Sequence, residues 1–181
     1  MSDDQAFIAM KVSALAVDPV SGVPMVILTD EIGGTPLPVS VGIGEAPAIA
    51  AELDAIDLER PLTHQLLGDL LTAAGARVAR VELRDPDGGA TTCDATVVIE
   101  LSDGSAAQRG ARASDALALA LRCGAPIWVS VGLLQRAARE AGRWVADPDL
   151  FGADAPMTPD APDADALLER LGPEAFGKWK M

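Results

Sequence analysis

The chain has 181 residues, enough for one domain of ordinary size with an appendage, and hydrophobic residues make up 49% of it. That composition predicts a packed globular core and excludes a chain that is disordered throughout. The net charge of −13 and the aromatic content of 3% disfavour a surface that binds nucleic acid through basic patches and base stacking, since phosphate contacts need lysine or arginine.

The termini and the cysteines predict the compartment. Residues 1–5 are acidic, which is the wrong sign for a secretory leader, and no apolar run is long enough to span a bilayer. Cys93 and Cys123 stand thirty residues apart, without the spacing of a metal or disulfide pair. We therefore expect a cytoplasmic protein with two reduced thiols and no membrane association.

The first half of the chain predicts three strands and then two helices. The strands are expected at residues 8–17, 24–29 and 37–41. A first helix is predicted from Gly44-Glu45-Ala46-Pro47 to about Ala55, because proline is tolerated in a first turn. A second begins at an N-cap, Thr63, and ends at Gly75. Its leucines share one face, at Leu66, Leu67, Leu70 and Leu71.

The second half repeats the order of three strands and a helix. These strands are predicted at residues 77–84, 91–101 and 106–111. Ser114 is the expected N-cap of a helix that ends at Gly124, with Asp115 in its first turn. A short strand at 127–130 and a helix at 131–141 complete the half.

An offset of 70 residues relates the two halves. It connects Gly34 with Gly104 and Glu45 with Asp115. We therefore predict an α/β (α+β) domain over residues 1–146, built from duplicated three-strand-plus-helix repeats. Residues 147–181 are predicted to be an acidic linker, rich in Pro, Ala and Asp, and a short C-terminal helix.

Three stretches resemble the bifunctional nuclease domain family. Residues 39–50 are similar to its strand-to-helix segment with Gly-x-x-Glu-Ala, and residues 60–67 to its Arg-Pro-x-Thr-His-Asp-Leu. The third stretch is 111–122, followed by Ala-Pro-Ile-Trp-Val at 125–129. Order and spacing agree from about residue 8 to 140, and residues 171–176 look like a C-terminal extension found in many members.

The resemblance implies a layered β/α/β fold, a homo-oligomer (a dimer above all), and DNase and RNase activity in a bacterial-type cytoplasmic protein. This chain departs from the family pattern at three positions. Gln65 stands where the family usually has Asp, and Gly110 and Ala113 stand in a stretch that often reads Asp-Ala-Arg-Pro-Ser-Asp. If the missing carboxylates help members to hold a metal, these departures bear on activity.

Glu45 and Asp115 are the best candidate pair of carboxylates. A duplication places them at matching helix starts, where they could hold Mg²⁺ or Mn²⁺ for phosphodiester hydrolysis. The alternative is that each is a helix-start acid that stabilises the helix dipole. His64 is the single histidine, so it is the candidate for proton transfer near neutral pH, or else a residue that packs on a strand.

Arg60, Arg112 and Arg122 are the candidate phosphate-binding residues, because guanidinium matches phosphate in two hydrogen bonds. The alternative is an ion-pair network with nearby acids. No glycine fingerprint of a nucleotide site is present, so no nucleotide cofactor is expected.

Two functions are consistent with these features. The first is a metal-assisted nuclease acting on DNA or RNA, with Glu45, His64 and Asp115 as catalytic residues. The second is a non-catalytic homo-oligomeric module that binds a ligand or a protein. In either case we expect apolar sheet faces that no helix covers to be buried against another subunit.

Overall fold

The structure is a computed structural model that describes residues 6–18, 21–31, 36–56, 58–86 and 93–145, with side chains to residue 139. Its strands in chain order are β1 (Phe7–Val17), β2 (Pro24–Thr29), β3 (Leu37–Ser40), β4 (Arg77–Arg84), β5 (Asp94–Glu100), β6 (Ala106–Arg112) and β7 (Ile127–Ser130). Its helices are α1 (Ala46–Leu53), α2 (Thr63–Ala73), α3 (Ala113–Cys123) and α4 (Val131–Val145). The linker and helix predicted at residues 147–181, and the boundary before them, lie outside the described residues.

The strands form one sheet in the order β3-β2-β1-β7-β4-β5-β6. Each predicted repeat is an antiparallel meander, β1-β2-β3 in one half and β4-β5-β6 in the other. Strand β7 lies between them, antiparallel to β1 and parallel to β4. Strand β1 joins the halves because its beginning, Phe7–Met10, pairs with β7, whereas Lys11–Val17 pairs with β2.

One hydrophobic core serves both halves. It includes Val26 and Leu28 from the first meander and Val81 and Leu83 from the second. The alternating burial of β2 matches a strand with one face in this core. Helix α3 contacts β4, β5 and β6 of the second meander and also β3 of the first, so the helices and the seven-stranded sheet share this core. The mixed α/β fold class is therefore confirmed.

Small residues let the two helices at the centre pack closely. Helix α1 is buried from Ala46 to Ala51, and helix α3 is buried at Ala113, Ser114 and from Ala116 to Ala120. Alanine has no side chain beyond Cβ, so α1 and α3 can contact each other closely. This contact brings the start of α1 near the start of α3.

The helix ends are partly as predicted. Gly124 follows α3 with φ of 60°, and Gly75 follows α2 with φ of +74°, so both glycines take the left-handed conformation typical of helix C-termini. The predicted N-caps are wrong. Leu62 caps α2 and Arg112 caps α3, neither with a side-chain hydrogen bond. Gln65 Oε1 instead accepts a 2.9 Å hydrogen bond from the Leu62 N–H.

Helix α2 exposes the leucine face that its sequence pattern predicts. Leu66, Leu67 and Leu70 are 47%, 44% and 58% exposed, and only Leu71 of the four packs on the core. The residues that α2 buries are Gln65 and Gly68. A Cβ at Gly68 would lie 3.1 Å from the Arg122 side chain, so the absence of a side chain lets α2 approach α3.

A buried acid supports the middle of the sheet. The Glu82 side chain is 8% exposed and accepts 2.7 Å hydrogen bonds from Arg80 Nε and Arg84 Nη2. Burial alone would raise the pKa of Glu82, but the hydrogen bonds from Arg84 and Arg80 outweigh it, and the pKa lies below its usual range. This carboxylate is thus charged and paired at neutral pH.

Candidate active site

A cleft of about 430 Å³ opens where the starts of α1, α2 and α3 meet. Its lining residues come from the segment before α1 and its first turn, from the start of α2, and from the junction of β6 with α3. They are Ile43, Gly44, Glu45, Pro47, Ala48, Leu62, Thr63, His64, Arg112 and Asp115. Both halves of the fold therefore contribute to the cleft, and its volume lies within the range of small-molecule sites.

Arg112 connects the two predicted carboxylates. Its Nε donates a 2.8 Å hydrogen bond to Asp115 Oδ2, and its Nη2 donates to Asp115 Oδ1 at 3.1 Å and to Glu45 Oε1. The Arg112 side chain is 69% exposed, whereas that of Glu45 is 12% exposed. The guanidinium is consequently open to solvent on the cleft side while a carboxylate from each half holds it.

His64 extends this cluster on the other side of Asp115. Its Nε2 lies 3.1 Å from Asp115 Oδ1, and its side chain is 14% exposed. A carboxylate in this position orients the imidazole ring, and an oriented imidazole is the side chain that most often transfers protons in enzymes.

Gly42 makes room for the Glu45 carboxylate. A Cβ at position 42 would overlap with Glu45 Oε2 and would lie 3.3 Å from Cδ. The Gly42 carbonyl also accepts the N–H groups of Glu45 and Ala46, at 3.1 and 3.0 Å. Gly42 therefore sets both the turn into α1 and the direction of the Glu45 side chain. This role was not predicted from the sequence, although Gly42 belongs to the Gly-x-x-Glu motif.

The charges of the cluster reinforce one another. Hydrogen bonding to Arg112 holds the pKa of Asp115 below its usual range; burial opposes this effect and the contact with His64 adds to it. Asp115 and then Glu45 raise the pKa of Arg112. Asp115 and Arg112 are thus both charged at neutral pH. For Asp115 the helix-dipole alternative also holds, since this acid lies in the first turn of α3.

The other two predicted phosphate-binding arginines lie apart from Arg112. Arg122 donates a 2.8 Å hydrogen bond to Asp69 and lies 3.7 Å from Glu52. It lines a second cleft of about 380 Å³ with Cys123, where burial raises the pKa of the Cys123 thiol and disfavours the thiolate. Arg60 is exposed and is not among the residues that line either cleft.

Gln65, where the family usually has Asp, points away from the first cleft. Its Nε2 donates a 2.9 Å hydrogen bond to Glu52 Oε1, and its Oε1 accepts from the Leu62 backbone. This buried amide joins the start of α2 to α1. It supports the helices that form the cleft rather than contributing a group to it.

The arrangement of these side chains does not fit a metal ion as it stands. The Arg112 guanidinium lies between the carboxylates of Glu45 and Asp115. Across the described residues, no three side chains of His, Cys, Asp or Glu group closely enough to hold an ion. A cation at this position would have to displace the guanidinium.

None of the described helices is both long and apolar enough to cross a membrane.

Fold and cleft together define a class of protein: a mixed α/β domain of two related halves, with an arginine, two carboxylates and a histidine at their junction. Comparison with known proteins identifies the family. Residues 26–141 match the family model described as the bifunctional nuclease domain. The chain therefore belongs to the bifunctional nuclease domain family, and the described residues that line the cleft all lie within the matched region.

The chain is also similar to two uncharacterized proteins of Mycobacterium tuberculosis. One comes from strain CDC 1551 / Oshkosh and the other from strain ATCC 25618 / H37Rv. Each is 34% identical over 128 residues, which is 71% of this chain and 74% of the relative. The similarity thus covers most of each protein.

Proposed function

We propose that the protein is a nuclease that hydrolyses phosphodiester bonds of DNA or RNA at the cleft around Arg112. One observation carries the proposal: Glu45, Arg112, Asp115 and His64 form a continuous chain of contacts in a single cleft. Membership of the bifunctional nuclease domain family supports the same activity. Phosphate binding and proton transfer, the two requirements of the reaction, each have a candidate group there.

The residues suggest a division of roles. The exposed edge of Arg112 binds a phosphate oxygen and stabilises the negative charge on the phosphoryl oxygens in the transition state. His64, held by Asp115 through Nε2, accepts a proton from the attacking water at its other ring nitrogen. The water oxygen forms a bond to phosphorus, the bond to the leaving oxygen breaks, and that oxygen takes a proton from solvent water, while His64 returns its proton to solvent. Glu45 holds Arg112 in place.

Mg²⁺ or Mn²⁺ stays part of the proposal as an additional component. Glu45 and Asp115 are the oxygen donors that such an ion prefers. With Arg112 between them, the ion binds only if the guanidinium moves out, so no step of the mechanism above depends on it.

A non-catalytic module is the second candidate function. The net charge of −13 opposes binding of long nucleic acids, and two carboxylates neutralise Arg112. The exposed leucines of α2 suit a protein contact. In this role the cleft would bind a ligand without reaction.

A nuclease assay distinguishes the two candidates. Single-stranded DNA, duplex DNA and RNA are incubated with Mg²⁺, with Mn²⁺ and with chelator. Asp115→Asn and His64→Ala are compared with native protein and with Asp69→Asn, which removes an acid paired with an arginine outside the cleft. We expect loss of cleavage in the first two variants only. Equal cleavage by all four proteins indicates a contaminant, and absence of cleavage throughout favours the module.

We also propose that the chain forms a homodimer and resides in the cytoplasm. The exposed surface of Leu66, Leu67 and Leu70 supports the dimer, because a second copy can cover such a surface across a twofold axis. Cys93 and Cys123 are both free thiols, which supports a reducing compartment. Light scattering at micromolar concentration tests the dimer, and a monomer mass there would contradict it.

A further inference from the structure

The cleft offers a substrate one positive charge and one apolar wall. Arg112 is the single cationic side chain among the described residues that line it, and Ile43, Pro47 and Leu62 contribute apolar surface. Ile43 is 61% exposed, which is high for an isoleucine, so much of its side chain is open to contact with a ligand. The part of the chain that the structure describes places no aromatic residue in the lining of this cleft. These groups can bind one phosphate and one adjacent apolar surface, such as the face of a base or a sugar.

The described surroundings of the cleft do not offer the additional cationic groups that a longer nucleic-acid backbone would need. Arg122, the nearest predicted alternative along α3, is paired with Asp69 in another cleft. A protein that makes about 6–10 phosphate contacts with a duplex loses about 10³- to 10⁵-fold in affinity between 50 and 200 mM salt. The described residues that line this cleft supply one arginine, already shared by two carboxylates, in a chain of net charge −13.

The size of the cleft also argues against the binding of a duplex. A volume of about 430 Å³ lies at the small end of the range for sites that enclose small ligands, and it is too small to take the two strands of a helix. A single-stranded chain can place one nucleotide inside while the remainder stays in solvent. A duplex would have to give up stacking and pairing to do so.

We propose that the substrate is a single-stranded or short oligonucleotide, of which the cleft binds one nucleotide. Its phosphate lies on Arg112, and its base or sugar lies on the wall of Ile43, Pro47 and Leu62. This inference depends on the proposed nuclease function and adds the substrate class to it. Ile43 is then a specificity-determining residue of the site.

The test compares substrate length, strandedness and salt. Cleavage of a 3-mer, a 6-mer and a 20-mer single strand and of a 20-base-pair duplex is measured at 50 and 200 mM NaCl. With one or two phosphate contacts, kcat/KM for single strands falls about three- to sevenfold over this salt range. We expect kcat/KM to vary by less than about threefold with length, and the duplex to react at least about tenfold more slowly.

Two variants test the wall. Ile43→Ser is expected to raise KM for the 3-mer about fivefold with kcat little changed, because it removes apolar contact with the ground state. Leu101→Ser is the matched control, since Leu101 is also exposed, at 40%, and lies outside the cleft. Anisotropy of a labelled 6-mer, in chelator and on the His64→Ala protein, measures binding without cleavage.

The outcomes separate this inference from the proposed function. Preferred cleavage of the duplex, a salt dependence approaching a thousandfold, or an unchanged KM in Ile43→Ser would overturn the substrate class and leave the nuclease function in place. Absence of cleavage of every substrate would remove the nuclease function and this inference with it.

Discussion

Replacing Gly42 by Ala is expected to move the Glu45 carboxylate without removing any of its atoms. A Cβ at this position overlaps with Glu45 Oε2. Gly42 is not among the glycines with positive φ, so its backbone suits alanine. The obstacle is therefore the far end of one flexible side chain, which can turn away. Glu45 then loses its contact with Arg112, and the fold remains.

The expected magnitudes follow from this geometry. A Gly→Ala substitution at a compatible position stabilises a protein by about 0.4–1 kcal/mol through the unfolded chain, and loss of the contact with a largely exposed arginine offsets part of that gain. The free energy of unfolding should thus change by less than about 1 kcal/mol. Misplacement of a positioning group by about 1 Å can cost about 10²-fold in rate, so we expect kcat/KM to fall about 10- to 100-fold.

Initial rates on a single-stranded 6-mer and urea unfolding measure the two quantities. Gly110→Ala is the matched control, because a Cβ at Gly110 meets nothing within 4 Å, and it should behave as native protein. Glu45→Gln should lose activity to a similar extent as Gly42→Ala. If Gly42→Ala retains the kcat/KM of Gly110→Ala and Glu45→Gln is also active, Glu45 has no role in holding Arg112 for the reaction, and the reasoning is refuted.

Four further predictions concern stability, acid sensitivity, metal binding and assembly. Glu82→Gln should lower the free energy of unfolding, measured in urea, by about 1–3 kcal/mol, because it leaves two half-exposed arginines without their buried partner. Glu100→Gln is the control at an exposed ion pair, and it should lower that free energy by less than about 1 kcal/mol. The pKa values of Glu82 and Asp115 are lowered in the folded protein. The stability that these two carboxylates give the fold is therefore complete above about pH 4–5 and is lost as the pH falls through their folded pKa values. As the pH is lowered from 7 to 2, Tm should thus fall less steeply in Glu82→Gln than in native protein. Gly110→Asp adds a carboxylate two residues before Arg112, on the same side of β6, and should tighten Mn²⁺ binding by calorimetry relative to Gly110→Ala; equal affinities would count against a metal at this end of the cleft. Leu67→Ser should shift the mass from light scattering towards a monomer, and an unchanged dimer mass would place the interface elsewhere.

Local patterns in the sequence predict most of the fold. The bounds of Pro24–Thr29, Arg77–Arg84 and Ile127–Ser130 are as predicted, because turn residues and apolar alternation mark them clearly. Helix α1 ends at Leu53 rather than near Ala55, which has a positive φ of 51°; local propensity does not reveal such a turn. The pairing of β7 with both meanders depends on contacts that are distant in sequence.

The leucines of α2 show a limit of the same reasoning. Their spacing predicts an apolar face, and the face exists, but it is exposed in the single chain. The buried side of α2 carries Gln65 and Gly68 instead. Periodicity identifies which residues share a face, whereas it does not say what covers that face.

The candidate site could be predicted in part. The sequence gives reason to pair Glu45 with Asp115 and to single out His64, and the structure brings all three side chains to one cleft. It does not distinguish Arg112 from Arg60 and Arg122, because an arginine on a helix or in a loop has many carboxylates within reach. Only the tertiary contact of α1 with α3 decides which arginine meets both acids.

Equivalent positions of the two repeats explain why that arginine is Arg112. At the offset of 70 residues, Glu45 corresponds to Asp115 and Gly42 to Arg112. In each half, the acid therefore follows three residues after the position that holds glycine in the first half and arginine in the second. In the first half, Gly42 leaves a space that the Glu45 carboxylate fills. In the second half, Arg112 reaches its own Asp115 and also Glu45. A long side chain at position 42 would take the space of the Glu45 carboxylate and break that contact. The difference between glycine and arginine at one repeated position thus turns two similar halves into a single asymmetric cleft.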